Sequence, residues 1–135
     1  MVTNSQLIKE AASVISTKQV GEFTIGNVGS ALITAKGSIY RGVCIDTSSS
    51  MGFCAEHNAI GSMITAGEYR IAKIVAVYQD EQGGVYILSP CGRCREFMYQ
   101  IDKENLETQV VLDAESVVPL RELLPYHDWY KKIEP

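Results

Sequence analysis

Excess basic charge is missing from this sequence. Twelve Lys and Arg stand against sixteen Asp and Glu, a formal net charge of −4. The basic residues are scattered from Lys9 to Lys132 and form no stripe. Proteins that grip a phosphate backbone concentrate positive charge, so a nucleic-acid polymer is not the expected partner. Long hydrophobic runs are missing too. Nowhere do about 18 apolar residues follow one another, as a membrane-spanning helix requires. Asn4, Ser5 and Gln6 fall where a secretion signal needs an apolar core. No membrane association is expected, and the expected compartment is the cytoplasm. Repeats, low-complexity tracts and linkers are absent as well. The 135 residues therefore read as one domain, long enough to bury a single core.

What is present is a regular alternation of elements. Leu7, Ile8, Ala11, Ala12 and Ile15 share one face of an opening helix over 5–16, after which Gly21, Gly26 and Gly29 break the pattern. Residues 28–35 and 38–46 favour β structure and meet at Lys36-Gly37, which reads as a hairpin. A serine-rich loop follows, then a helix from Cys54 to Ala66 stopped by Gly67. Residues 72–78 and 85–89 read as strands around a turn at Gln82-Gly83-Gly84. Pro90 opens a helix reaching Ile101, since proline in a first turn loses no hydrogen bond. A last strand over 109–112 and a short helix over 119–124, ended by Pro125, close the chain. The order predicts an α/β fold with three layers, α/β/α: one mixed sheet with helices on both faces.

Cysteine is scarce but placed with purpose: Cys44, Cys54, Cys91 and Cys94 are all there is. In a reducing compartment such a set points to metal or catalysis before disulfides. Cys54-Ala55-Glu56 begins one helix, and Pro90-Cys91-Gly92-Arg93-Cys94 begins another. Three cysteines on two helix N-termini can converge on one tetrahedral zinc, and catalytic zinc sites use three protein ligands and leave the fourth position open. The helix starts favour thiolate over thiol. Glu56 stands two residues from Cys54, near the metal without being a ligand, where a carboxylate can move protons between water and substrate. Three thiolates leave a zinc site at about net −1, and Arg93, Arg95 and His57 are near enough in sequence to offset that charge through hydrogen bonds to sulfur.

The pattern Cys-x-Glu followed by Pro-Cys-x-x-Cys is that of zinc nucleobase deaminases, and the sequence resembles the cytidine deaminase family over about residues 28–125. Residues 28–32 and 39–42 are similar to that family's opening hairpin, 54–56 and 89–95 to its two metal motifs, and 121–125 to its closing helix. The run 87–95 also resembles the blasticidin S deaminase branch. The resemblance implies a Zn2+ cofactor held by Cys54, Cys91 and Cys94, with Glu56 as the proton shuttle. It implies hydrolytic conversion of the 4-amino group of a cytosine nucleoside, such as cytidine or deoxycytidine, in pyrimidine salvage by a homotetramer. The Ala55 backbone falls on a base-contacting position. Cys44-Ile45-Asp46 stands where cytidine-acting members have Asn-x-Glu for the ribose, so Cys44 and Asp46 are the candidate substrate contacts on the sugar side. Gly26 replaces an aromatic residue, with Phe23 the nearest substitute, and His57 stands where many members have arginine.

Other readings stay open at this point. Cys91-Gly92-Arg93-Cys94 has the spacing of a redox pair, a reading that leaves Cys54 and Glu56 without a role. A closed structural zinc site would recruit Cys44 as fourth ligand, although Cys44 and Cys54 are widely spaced for such a site. Within the enzyme reading, blasticidin S or another aminated ring competes with plain cytidine. His127 and Trp129 are expected to pack the C-terminus, with a substrate contact as the alternative.

Overall fold

The computed structural model describes residues 2–135. Among them the chain runs α1 (Asn4–Ser13), β1 (Lys18–Val20), β2 (Phe23–Thr34), β3 (Ile39–Ile45), α2 (Ala55–Thr65), β4 (Ile71–Gln79), β5 (Val85–Leu88), α3 (Gly92–Ile101), a 3-10 turn (Lys103–Glu107), β6 (Gln109–Val111), β7 (Val117–Pro119) and α4 (Leu120–Leu123). The strands form one mixed sheet. β2 pairs antiparallel with β3 on one edge and β4 on the other, and β1 folds back onto the start of β2. The far edge of β4 is shared by β6, parallel to it through Lys73 and Ile74, and by β5, antiparallel to it from Ala76 onward. β7 pairs antiparallel with β6. No helix among the described residues is long and apolar enough to cross a membrane.

The layers follow from the two-residue period of a strand. Consecutive residues in the central strands divide between two cores. Leu32, Ile74 and Val110 face one side with Ala59, Ile60 and Met63 of α2 and Met98 of α3. Ala31, Val75 and Val111 face the other with Leu7 and Ala11 of α1. The three-layer α/β/α expectation is met: α1 covers one face, α2 and α3 the other. α1 starts on a reciprocal cap, with Gln6 N–H donating to Thr3 Oγ1 at 3.1 Å and Thr3 N–H to Gln6 Oε1 at 2.8 Å.

Several boundaries differ from the sequence expectation, each for a local reason. β2 begins at Phe23, so Gly26 and Gly29 lie inside a strand. Gly29 permits close packing there: a Cβ would stand 2.2 Å from the Ala11 carbonyl oxygen of α1. β1 has no buried residue, hence no periodicity to read. The strand over 109–112 is not the last, because β7 precedes α4 and Pro119 caps that helix from outside. Pro90 likewise lies outside α3, one residue before its N-cap Cys91.

One glycine positions the site directly. A Cβ on Gly42 of β3 would meet the Ala59 backbone nitrogen at 2.5 Å and Asn58 Cβ at 2.7 Å, so α2 rests on bare backbone. Gly42→Ala is expected to push α2 away from the sheet and to cost about 2 kcal/mol. That is a fall of about 5–10 °C in a thermal melt followed by circular dichroism; an unchanged melting temperature would contradict the close contact.

Candidate functional site

Cys54 is the N-cap of α2 and Cys91 the N-cap of α3. N-cap side chains ordinarily turn back to accept from the helix, as Thr3 does in α1. Neither sulfur closes a full cap hydrogen bond, and the two meet across the helix starts. Cys54 and Cys91 Sγ are 3.6 Å apart, as are Cys91 and Cys94 Sγ, and all three lie within 4.8 Å of one another. Sulfurs held tetrahedrally at about 2.3 Å from one zinc stand about 3.8 Å apart, so the trio fits such an ion without rearrangement. Cys44 is outside the cluster.

The loop between β3 and α2 brings the site together. It leaves the sheet after Ile45 and returns through a two-way backbone bridge, with Ile45 N–H donating to Phe53 at 3.0 Å and Phe53 N–H to Ile45 at 2.9 Å. The intervening residues are an excursion, and residues 44–46 are set beside 54–56. A cavity of about 420 Å³ opens there, within the usual range for small-molecule sites. Cys54, Ala55, Glu56 and Cys91 line it, as do Cys44 and Asp46. Glu56 also borders the gap between β5 and β6, which part from each other along one edge of β4, next to Ala76, Leu88 and Pro90. Such divergence points are where α/β sheets place their ligands.

Burial governs the electrostatics. Glu56 is 6% exposed, and burial raises its carboxyl above the ordinary range, partly offset by a backbone hydrogen bond. Burial pushes the Cys94 thiol well up, with Glu56 and the other sulfurs adding to it. Cys54 is raised too, by burial first and then by Cys91. For Cys91 burial also acts upward, but hydrogen bonds from the Cys94 backbone and from the neighbouring thiols outweigh it and bring the thiol down. A cation is the group that would stabilise all three as thiolates.

Of the three residues expected to quiet the sulfur charge, only His57 reaches it. His57 Nδ1 lies 3.3 Å from Cys94 Sγ, and its ring stacks on Phe97 at 4.2 Å between centroids. Its pKa is lowered by burial and then by Arg93. Arg95 is spent elsewhere, donating to the carbonyls of Pro90 at 2.8 Å and Leu123 at 3.1 Å and to Ser89 Oγ at 3.2 Å. It ties the metal loop to the end of α4. Arg93 lines the cavity and reaches only the Gly52 carbonyl, at 3.5 Å.

The pocket also holds residues the sequence reading passed over. Its aromatic wall is Phe53, while Phe23 does not line it; Phe53 comes from the loop, where no periodicity marks it. Asn27 of β2 lines the pocket as well, an isolated polar residue among glycines and apolar neighbours. His127 and Trp129 surround a different cavity with Tyr99, where the His127 and Tyr99 rings are 4.9 Å apart. His127 packs the C-terminal segment onto Tyr99, whereas Trp129 is exposed and meets only the exposed Tyr130 ring; neither lines the thiol pocket. Since Cys44 is no member of the thiol cluster, Cys44→Ser should retain full zinc stoichiometry by elemental analysis. Metal lost from that variant would restore the closed four-cysteine site.

A mixed sheet between helix layers, with three thiols converging at two helix starts beside a buried carboxylate, defines an α/β protein built around a zinc site. The model of the cytidine and deoxycytidylate deaminase zinc-binding region matches residues 1–109, and the chain belongs to that family. It is 43% identical over 70 residues to a cytidine deaminase of Sporosarcina psychrophila, covering 51% of this chain and 48% of that protein. It is 39% identical over 77 residues to a blasticidin-S deaminase of Bacillus cereus, covering 53% and 55%. The chain spans about half the length of these curated relatives. The crystal structure of cytidine deaminase from Mycobacterium leprae superposes with a TM-score of 0.73 at 27% identity, covering 93% of this chain and 99% of that one.

Proposed function

We propose that this chain is a zinc-dependent hydrolase that replaces the 4-amino group of a cytosine nucleoside, cytidine or deoxycytidine, by a carbonyl. The observation that carries the reading is Glu56: a carboxylate buried to 6% exposure, facing a pocket beside three thiols spaced for one zinc. Zinc bound there supplies a Lewis acid that makes water nucleophilic near neutral pH. Glu56 takes the proton released by the attacking water and delivers it to the ring nitrogen beside the reacting carbon. Its raised pKa suits a group that must both hold and return a proton. A carbon–oxygen bond forms, the carbon–nitrogen bond breaks, ammonia leaves, and nothing is oxidised or reduced. The Ala55 backbone lies where the ring would be held, and Cys44 and Asp46 border the part of the pocket left for the sugar.

The reading extends to one domain over 1–135 acting in pyrimidine salvage, in the cytoplasm, where unpaired thiols stay reduced. It extends also to a homotetramer, consistent with exposed Val85, Tyr86 and Leu88 on a strand that, among the described residues, pairs with β4 alone. A second substrate, blasticidin S or another modified cytosine nucleoside, is favoured by the Bacillus cereus relative; Cys44-Ile45-Asp46 departs from the ribose motif without selecting it. An ultraviolet assay over cytidine, deoxycytidine, cytosine and blasticidin S tests both. Turnover of cytidine and deoxycytidine is expected. Turnover of blasticidin S alone would move the assignment to the second substrate, and ammonia from none of the four would remove the deaminase reading.

A further inference from the structure

The pocket has polar groups that proton transfer at Glu56 does not use. Cys44, 4% exposed, has one S–H hydrogen and two acceptors near it: Asn27 Oδ1 at 3.1 Å and Asp46 Oδ2 at 3.9 Å. The shorter contact takes the hydrogen. Accepting from the thiol directs Asn27 Oδ1 at the sulfur, so Nδ2 and its two N–H donors point elsewhere. Among the described residues no protein acceptor meets Nδ2, and no N–H donates to the Asp46 carboxylate. Both residues line the cavity. An amide donor that meets no protein acceptor among the described residues, and a carboxylate whose nearest protein donor is the thiol at 3.9 Å, are thus set on either side of one sulfur, facing the space next to Glu56.

We propose that Asn27 is a substrate-binding residue, its amide donating to a hydroxyl on the group attached to the reacting ring while Asp46 accepts from that group. This assignment rests on the deaminase reading above. A hydroxyl both donates and accepts at one oxygen, so it matches a donor and an acceptor placed side by side, and a sugar carries several. Cys44 is then a positioning residue. Its S–H, donated to Asn27 Oδ1 at 3.1 Å, favours the orientation with Nδ2 free, because a thiol sulfur accepts from an amide N–H only weakly. A site built to pair a hydroxyl discriminates by leaving its own polar groups unpaired when the hydroxyl is missing. Asn27 therefore sets preference for ring plus sugar over the ring alone, without touching the reacting carbon.

The test is calorimetric titration of the zinc-loaded protein with uridine and with uracil, which reads binding without turnover. Wild type is expected to bind uridine more tightly than uracil. Asn27→Leu, close in size and without donors, is expected to weaken uridine about tenfold and to leave uracil within about twofold. Asn27→Ala, which only removes atoms, covers the case in which leucine disturbs β2. Cys44→Ala should give a smaller loss, again confined to uridine. Unchanged uridine affinity in the Asn27 variants, equal weakening of both ligands, or a wild type that does not prefer uridine would each overturn the assignment. Ammonia release by wild type is measured on the same preparation. Cytidine turnover with Asn27-independent uridine binding removes only Asn27's role, whereas no ammonia from any substrate removes the deaminase reading itself.

Discussion

Glu56→Ala should lower kcat by at least about 10²–10⁴ and leave zinc content and melting temperature near those of wild type. The reason is position. Glu56 is the second residue of α2, so its backbone is fixed by the same helix start that places Cys54, while its side chain faces the cavity. It is not one of the three clustered thiols, and its removal takes no ligand from the metal. Glu56→Gln sharpens the comparison by keeping the volume and polarity of the side chain while removing its ability to carry a proton. It should be as inactive as the alanine variant. Glu56→Asp keeps the carboxylate on a side chain one methylene shorter and should retain a measurable fraction of the rate. The measurement is ammonia release, with zinc by elemental analysis and a thermal melt on each sample. Near-wild-type turnover in Glu56→Gln would refute the proton-transfer role. Loss of zinc together with activity would make Glu56 a support of the metal site and not a shuttle.

The parts legible in the sequence are those in which one physical constraint dominates a short stretch. The hairpin over β2 and β3 and the helix stopped by Gly67 follow from local period and turn chemistry, whereas which of Ala31 and Leu32, or Ile74 and Val75, faces which layer is not marked within these apolar runs. The thiol trio was readable because cysteines at two helix starts have few other uses in a reducing compartment. What escaped depends on contacts distant in sequence. Asn105 is fully buried, accepting from Ile71 N–H at 2.8 Å and donating to the carbonyls of Tyr69 and Met98, each at 3.0 Å. It joins β4 to the end of α3, yet as a lone asparagine between charged residues it reads as surface. Arg95 was expected at the sulfurs because of its neighbours in sequence, but the helical turn directs it to Pro90 and Leu123 instead. Asn27 and Phe53 enter the pocket only because β2 and β3 are side by side and the loop closes on Ile45.

Cys94→Ala should weaken zinc binding severely and abolish turnover, and the state left behind distinguishes a catalytic metal from a structural one. Structural zinc sites with four ligands are worth about 10–16 kcal/mol, about 3 kcal/mol per ligand, so losing one thiol should weaken zinc at least about 10²-fold. Cys94 is the buried member of the trio, and the His57 ring that meets it at 3.3 Å lies beside the metal position and not in the place of the lost sulfur. The two hydrophobic cores, around Leu32, Ile60 and Met98 on one face and Leu7, Val75 and Val77 on the other, contain none of the thiols. The sheet and helices should therefore persist without metal. Wild type stripped by a chelator is expected to keep its far-ultraviolet circular dichroism, lose activity, and regain it on addition of zinc. Cys94→Ala should keep the same spectrum and regain nothing. If stripping the wild type unfolds the chain, zinc is holding the fold together, and the open three-thiol site is the wrong description of what Cys54, Cys91 and Cys94 do.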